Sequence, residues 1–288
     1  MMKKIWFLYP DTTPKGSNAF GWFRESFLKF GMEVEFLFWD SQMRVDGLES
    51  MPLPDAVVMR GYNLKLSAWF ESCGIRVFNT TRSMELCRDK IATSRELLKC
   101  GIPTPRTVVY DGQYPSWSTL VEHFHGEPVV MKLSMGSKGE EVYLLTNQQE
   151  YISARSHCEA AAELLPGAEP LFQEFVSTSC GRDLRVWVIG GRVVGHTLRS
   201  NRNSFKSNFA QGGDALAVDL PEGAAKLAIE AAEALGLEFA GVDILFGGGV
   251  WPEFMVCEVN GNAGFRTASL IGGMDIPQAL ASYIGKIL

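Results

Sequence analysis

Two apolar segments near the C-terminus, 239-FAGVDILF-246 and 253-EFMVCEVN-260, carry acidic and amide groups into what their neighbours mark as buried strands. Burying such groups unpartnered costs about 2–7 kcal/mol for a polar group and more for a charge. The glycine run Gly247-Gly248-Gly249 between the segments suits a hairpin connection. If that connection spans about Gly247 to Glu253, antiparallel pairing sets Asp243 across from Glu258. Period-2 alternation then places Asp243, Glu258 and Asn260 on one face, with Val242, Ile244, Cys257 and Val259 on the other. Facing carboxylates repel, and a hard divalent cation between them would relieve the repulsion. Oxygen ligands without His or Cys favour Mg²⁺ over zinc. A slip of one residue would send Asp243 to the opposite face, and a pair of exposed strand-end acids is the alternative.

The rest of the chain has to build the site around that hairpin. Its 288 residues, 46% hydrophobic and 21% charged, suffice for two or three domains and do not read as disordered. A net charge of −6 and the lack of a basic stripe argue against a nucleic-acid partner. Six cysteines (Cys73, Cys87, Cys100, Cys158, Cys180, Cys257) show no C-x-x-C pair and no nearby His. They read as reduced thiols of a cytoplasmic protein rather than as a zinc site or a disulfide framework. The stretch MMKKIWFLYPD has too few apolar residues for a signal-peptide core, and no later run is long enough to span a membrane.

The order of elements predicts an α/β protein. Lys3 to Tyr9 reads as a strand, Ala19 to Phe30 as a helix closed by Gly31, and Val34 to Trp39 as a second strand. Ala56 to Met59 forms a third strand running into Arg60-Gly61, and Arg76 to Phe78 a fourth. Ligands of open α/β sheets lie at the carboxyl ends of strands, which places Arg60 where an anion would be met; a solvated loop arginine fits equally. One helix is expected from Ser83 to Lys99, stopped by Cys100-Gly101-Ile102-Pro103-Thr104-Pro105. Beyond it come a strand, Pro128 to Leu133, the turn 134-SMGSKGEE-141, and a strand, Val142 to Leu145. A helix from Glu150 to Leu165, a strand from Leu171 to Val176, a hairpin of Asp183 to Ile189 with Val193 to Leu198, and a helix from Ala224 to Leu235 complete the expectation. The turn around Gly136 and Gly139 can point successive backbone N–H groups at one anion, with Lys132 and Lys138 adding charge. A flexible hairpin tip explains that turn as well. Magnesium at one edge and an anion-cradling turn at the other describe a nucleoside triphosphate. The sequence holds no G-x-x-x-x-G-K-[ST] loop and no H-R-D or D-F-G set, so another nucleotide-binding design is required.

Several segments in order, 88-RDKIATSRELLKCGIPTP-105, 130-VMKLSMGSKGEEV-142, 173-QEFV-176, 183-DLRVWVIGG-191, 206-KSN-208, 241-GVDIL-245 and 258-EVN-260, resemble the ATP-grasp superfamily. They are most similar to its RimK-like branch of amino-acid and peptide ligases. The resemblance implies an ATP-grasp fold preceded by a small parallel-sheet α/β domain. It divides the chain into 1–82, a central lobe at 83–170 and a C-terminal lobe at 171–288. Lys90 and Lys132 would contact ATP, and Ser134, Gly136, Ser137 and Gly139 would belong to the lid over its phosphates. Glu174, Phe175 and Val176 would form the hinge that meets adenine through backbone groups, with Gln173 beside them, and Asp183 would touch the ribose. Asp243, Glu258 and Asn260 match the family's ligands for Mg²⁺, two ions for which Mn²⁺ can substitute. Arg199, Lys206 and Asn208 fall where the family stabilises the transferring phosphate and the acyl intermediate.

That resemblance implies a carboxylate–amine ligase working through an acyl phosphate, with small-molecule or peptide substrates and homo-oligomerisation left open. Charge builds on phosphoryl and carbonyl oxygens in such chemistry, so fixed cations should supply most of the stabilisation and no protein nucleophile is needed. The four histidines, His123, His125, His157 and His196, form no recognisable triad with a serine or cysteine. The family pattern loosens after the metal ligands, where 260-NGNAGFRTAS-269 lacks the usual Pro-Gly loop, so glutamate specificity does not follow. Arg60 and Arg266 are candidates for gripping substrate carboxylates. An ATP-grasp phosphotransferase and a non-catalytic nucleotide-binding regulator are the competing readings.

Overall fold

The computed structural model describes residues 2–110, 113–136, 139–207, 212–248, 252–271 and 273–288. The chain starts with β1 (Lys3–Pro10), α1 (Asn18–Leu28), β2 (Met32–Trp39), β3 (Ala56–Met59), α2 (Leu64–Ser72) and β4 (Arg76–Phe78). Its four strands form a parallel sheet in the order β2-β1-β3-β4. Ile5 to Leu8 are at most 1% exposed because a central parallel strand is covered on both faces, which explains the unbroken apolar run IWFLY. Trp6 and Leu8 pack with Phe70 of α2 on one side, while Ile5 and Phe7 meet Phe20, Phe23 and Phe27 of α1 on the other.

The expected helix Ser83–Lys99 is two helices, α3 (Thr81–Arg88) and α4 (Lys90–Lys99). Asp89 between them is extended (φ −98°, ψ 113°), and its carboxylate accepts from the amides of Ile91 and Ala92 at 2.8 and 3.3 Å. A short acidic side chain favours an N-cap over a helix interior, because it satisfies amides that otherwise have no partner. This break makes Lys90 the first residue of α4.

The middle of the chain contributes β5 (Thr107–Val109), α5 (Trp117–His123), β6 (Val129–Leu133), β7 (Val142–Leu145), α6 (Gln148–Leu164) and β8 (Pro170–Glu174). These strands pair antiparallel in the order β5-β8-β6-β7. A lobe boundary at residue 170 therefore passes through the start of β8. Val129, Met131 and Leu133 of β6 pack against α5 and α6, so alternation leaves Val130 and Lys132 on the open face.

A five-stranded antiparallel sheet, β11-β10-β9-β12-β13, follows. It comprises β9 (Arg182–Ile189), β10 (Arg192–Ser200), β11 (Asp214–Leu216), β12 (Phe239–Phe246) and β13 (Phe254–Asn260), with α7 (Glu222–Ala234) inserted. The alanine-rich face of α7 lies on Leu184, Val186, Val188, Val242 and Ile244, so the opposite face of the sheet is free to carry charge. Two short helices end the chain, α8 (Arg266–Ile271) and α9 (Ile276–Ile287). Ile276, Leu280, Ala281 and Ile284 of α9 join the core of the N-terminal sheet beside α1. The last element thus ties the first sheet to the rest, and no helix among the described residues is long and apolar enough to cross a membrane.

Candidate active site

A cleft of about 1210 Å³ lies between the open faces of the two antiparallel sheets and the carboxyl ends of β1 and β3. It gathers Arg60, Lys90, Lys132, Gly136, Gly139, Gln173, Glu174, Phe175, Val176, Asp183, Arg199, Lys206, Asp243, Glu258, Asn260 and Arg266 along its walls. Ser134 is not among them. It is 1% exposed and serves as a pin: its hydroxyl accepts from Glu169 N at 3.0 Å, and its carbonyl accepts from Lys90 N at 2.9 Å. Ser137, Lys138 and Asn208 lie outside the described residues.

The hairpin register is the expected one near its end: Gly241, Val242 and Asp243 pair with Asn260, Val259 and Glu258. A β-bulge follows, and Ile244 pairs with Val256. Cys257 is the extra residue. It therefore does not pack with Val242 and Ile244 but lines the cleft, where its thiol lies 3.8 Å from Lys132 Nζ. Burial pushes the Cys257 thiol above its ordinary range, and Lys132 offsets this only in part.

Asp243 is also met from the strand on its other side. Arg185 of β9 lies directly across from Asp243 and grips both its oxygens, Nη2 at 2.7 Å from Oδ2. Arg199 of β10 lies across from Asp183 and holds it bidentately at 2.7 and 2.5 Å, with Nη2 also 2.9 Å from Asp243 Oδ2. Ser207 donates to Asp183 at 2.7 Å. Burial alone would raise the Asp243 carboxyl, but the two guanidiniums outweigh it and hold it below the usual carboxylate range. Arg185 and Arg199 offset the charge of Asp243 and Lys90 stands 4.0 Å from Glu258, so the facing carboxylates do not by themselves require a metal. Asp183 lines the cleft and bonds Arg199 and Ser207, which fixes that arginine. The alternation of 183-DLRVW-187 could have revealed Arg185, because it puts Arg185 on the same face as Asp183.

Whether Mg²⁺ fits rests on donor chemistry. Glu258 and Asn260 offer hard oxygens on the cleft wall, and the Asn260 amide donates to Gly241 O at 3.4 Å, which leaves its oxygen as the free group. Among the described residues no cluster of three or more His, Cys, Asp and Glu could hold an ion. Mg²⁺ needs no such cage, because it is ordinarily held by one or two carboxylates plus substrate phosphates. The residues fit an ion that arrives with a triphosphate.

Three lysines converge on the same space from different elements. Lys90 Nζ donates to Gly136 O at 3.2 Å, and Lys206 Nζ donates to Gly139 O at 2.7 Å. The segment bearing Lys206 is fixed at Gly181 (φ +66°), whose amide donates to Phe205 O and whose carbonyl accepts from Asn201 N at 3.0 and 2.8 Å. Burial lowers the pKa of Lys90, opposed by Glu258 and reinforced by Lys132. Burial also lowers that of Lys206, against the pull of Glu141. An anion held by Lys206 should therefore be released, as pH rises, at a lower pH than an ordinary lysine would set. We expect Lys206→Arg to remove that inflection from the pH profile of nucleotide affinity; an unaltered profile would place the titration elsewhere.

At the hinge, Gln173 Nε2 donates to Thr107 at 2.8 Å. The amides of Glu174 and Phe175 donate to Arg106 O and Pro128 O at 3.0 and 3.3 Å. Those two amides are spent inside the protein, so the backbone groups the hinge can offer to an adenine edge are its carbonyls and the Val176 amide.

Comparison with known proteins agrees with the architecture. The RimK-like ATP-grasp domain family matches residues 87–284. The chain is 31% identical over 240 residues to N-acetylaspartylglutamate synthase A of Homo sapiens, covering 82% of this chain and 59% of that protein. It is 33% identical over 245 residues to a probable alpha-L-glutamate ligase 2 of Pseudoalteromonas atlantica, covering 83% and 78%. A RimK domain ATP-grasp protein from Sphaerobacter thermophilus has the same fold, with a TM-score of 0.73 at 22% identity, covering 97% of this chain and 98% of that one. The chain spans only about three fifths of the length of the synthase. The sequence, the cleft between two antiparallel sheets and the parallel N-terminal sheet lead to one assignment: the chain belongs to the RimK-like ATP-grasp domain family.

Proposed function

We propose that this protein is an ATP-dependent ligase that joins a carboxylate to an amine and releases ADP and phosphate. The observation that carries this reading is the convergence of Lys90, Lys132 and Lys206 with the Arg185–Asp243–Arg199 network and the Glu258–Asn260 edge on one cleft. Among the described residues Lys132 and Lys206 form no ion pair and Lys90 has only Glu258 at 4.0 Å, so the three lysines suit a ligand rich in phosphate oxygens. When bound, Mg²⁺ neutralises triphosphate charge, and Glu258 and Asn260 would hold it, with Asp243 behind them.

In the proposed reaction the substrate carboxylate attacks the γ-phosphorus, the bond to the bridging oxygen of ADP breaks, and an acyl phosphate forms. The amine then attacks the acyl carbon, loses a proton and expels phosphate. Arg199 is locked between Asp183 and Asp243, which push its pKa further up despite burial, so it stays charged and in place while charge develops. Lys90 and Lys206 neutralise phosphate oxygens by exchanging their carbonyl partners for the ligand. We place the reaction in a reducing, cytoplasmic setting, in keeping with six scattered cysteines and no C-x-x-C pair.

The test is ADP release with Mg-ATP against pooled small carboxylates and amines, with mass spectrometry of the products. We expect release that needs both an acid and an amine, and a product joined by one amide linkage. Release that needs no amine and yields a stable phosphorylated molecule would replace ligation with phosphotransfer.

A further inference from the structure

Asn79 directly follows β4 of the N-terminal sheet and is only 2% exposed. A buried amide needs partners for two N–H groups and two lone pairs, and here they come from the hairpin of β12 and β13. Nδ2 donates to Phe239 O at 2.7 Å and to Gly261 O at 2.9 Å, while Oδ1 accepts from the amides of Glu238 and Phe239 at 2.8 and 2.9 Å. These groups lie at the open end of the hairpin, away from its connecting loop. Glu238 and Phe239 lead into β12, and Gly261 directly follows Asn260, the last residue of β13. The ladder between the two strands stops at the pair Gly241–Asn260, and strand ends are where local opening is easiest. Asn79 continues the cross-link beyond that point, as a peptide group of a neighbouring strand would. Gly261 is also held from α3: its amide faces the Cys87 sulfur, and a Cβ there would meet Met84 Sδ at 2.7 Å and Cys87 Sγ at 2.8 Å. Further along the same loop, Arg60 Nη2 donates to Ala263 O at 3.1 Å and Trp187 Nε1 to Gly264 O at 3.0 Å. By contrast, the Asn260 amide reaches Gly241 O only at 3.4 Å, so the backbone around Asn260 sets the place of its side chain.

We propose that Asn79 is a positioning residue for the metal edge: through this one amide the N-terminal sheet holds the end of β13, so that Asn260 presents its oxygen beside Glu258 to the ion that accompanies the nucleotide. The inference rests on the reading of Glu258 and Asn260 as the residues that hold that ion. Asn79 does not itself belong to the cleft wall, so it acts on the ion only through the backbone it bonds.

Titration with Mn²⁺ followed by electron paramagnetic resonance, with a non-hydrolysable ATP analogue bound, tests this without turnover. The variants are Asn79→Ala and Asn79→Asp, the second of which keeps the acceptors and loses at least one donor. We expect each to weaken Mn²⁺ binding about tenfold, the scale of one or two lost hydrogen bonds. Binding of the analogue without a divalent ion should stay as in the wild type, because the cleft lysines are untouched. Phe70→Leu loosens the core of the N-terminal sheet without touching the hairpin, and it should leave Mn²⁺ binding unchanged. Asn260→Ala should weaken Mn²⁺ binding by itself, and adding Asn79→Ala should cost little more, since a residue that acts through Asn260 then has nothing to position. Unchanged Mn²⁺ binding in the Asn79 variants, an equal loss in Phe70→Leu, or additive losses in the double variant overturns the proposal. If Asn79→Ala does not fold, Asn79→Asp carries the comparison. A wild-type complex with the analogue that takes up no Mn²⁺ removes the metal edge and the proposal together. Mn²⁺ binding that depends on Asn79, with no ligation in any substrate pool, keeps the positioning role and removes the ligase reading.

Discussion

Asp243→Asn is expected to lower the unfolding free energy by about 3–5 kcal/mol, because it leaves buried guanidiniums without the charge that compensates them. Arg185 bonds only Asp243 among the carboxylates of the described residues, and Arg199 would keep Asp183 alone. Asparagine preserves shape and one acceptor oxygen, so the loss reports charge rather than packing. Denaturant unfolding of both proteins at neutral pH measures it, and a change under about 1 kcal/mol, the scale of exposed pairs, would mean that the network is solvated and of little consequence. Because Asp243 is held below the usual carboxylate range, its contribution is present at neutral pH and is lost as pH falls through its lowered pKa. The pH dependence of stability in the acid range should flatten in the variant.

The second large effect is on turnover. Arg199→Lys keeps a positive charge but loses the fork that lets one side chain hold Asp183 and Asp243 together. On the ligase reading, kcat should fall about 10²–10³-fold, the scale for removing one fixed donor from a developing charge. Nucleotide affinity should change far less, since Lys90, Lys132 and Lys206 remain. Unchanged kcat with weakened nucleotide binding would reassign Arg199 from the reacting centre to ground-state binding.

Both expectations concern a network that the hairpin by itself did not disclose. A short connection and strict alternation specify one register, and the pairing of Asp243 with Glu258 follows from them. What satisfies Asp243 depends on the strand on its other side. Sheet order puts β9 there, with Arg185 opposite the aspartate, and β10 next, with Arg199 one strand further. The hairpin alone therefore discloses the facing carboxylates, and the neighbouring strands add the guanidiniums that meet Asp243. Cys257 was misplaced for a related reason, because a bulge adds one residue to a strand and re-aims its side chain without a reliable local signature. The break at Asp89 was legible in principle, since an aspartate followed by a helical run is an N-cap pattern, but apolar periodicity runs across it.

The amino-acid sequence by itself determined most of the strands and the longer helices, the parallel N-terminal start, the stop at Gly101 to Pro105 and the acids of the last hairpin, though not Arg185 or the elements β5, α5, β11, α8 and α9. These follow from local rules: periodicity, the φ restriction of proline, and the cost of burying polar groups. Tertiary structure alone decided which charges neutralise one another, that α9 returns to the N-terminal sheet, and that Arg60 reaches across to the Ala263 carbonyl. Each of these depends on elements distant in sequence meeting in space. Compensation of a buried charge is a property of that meeting, which no local pattern encodes.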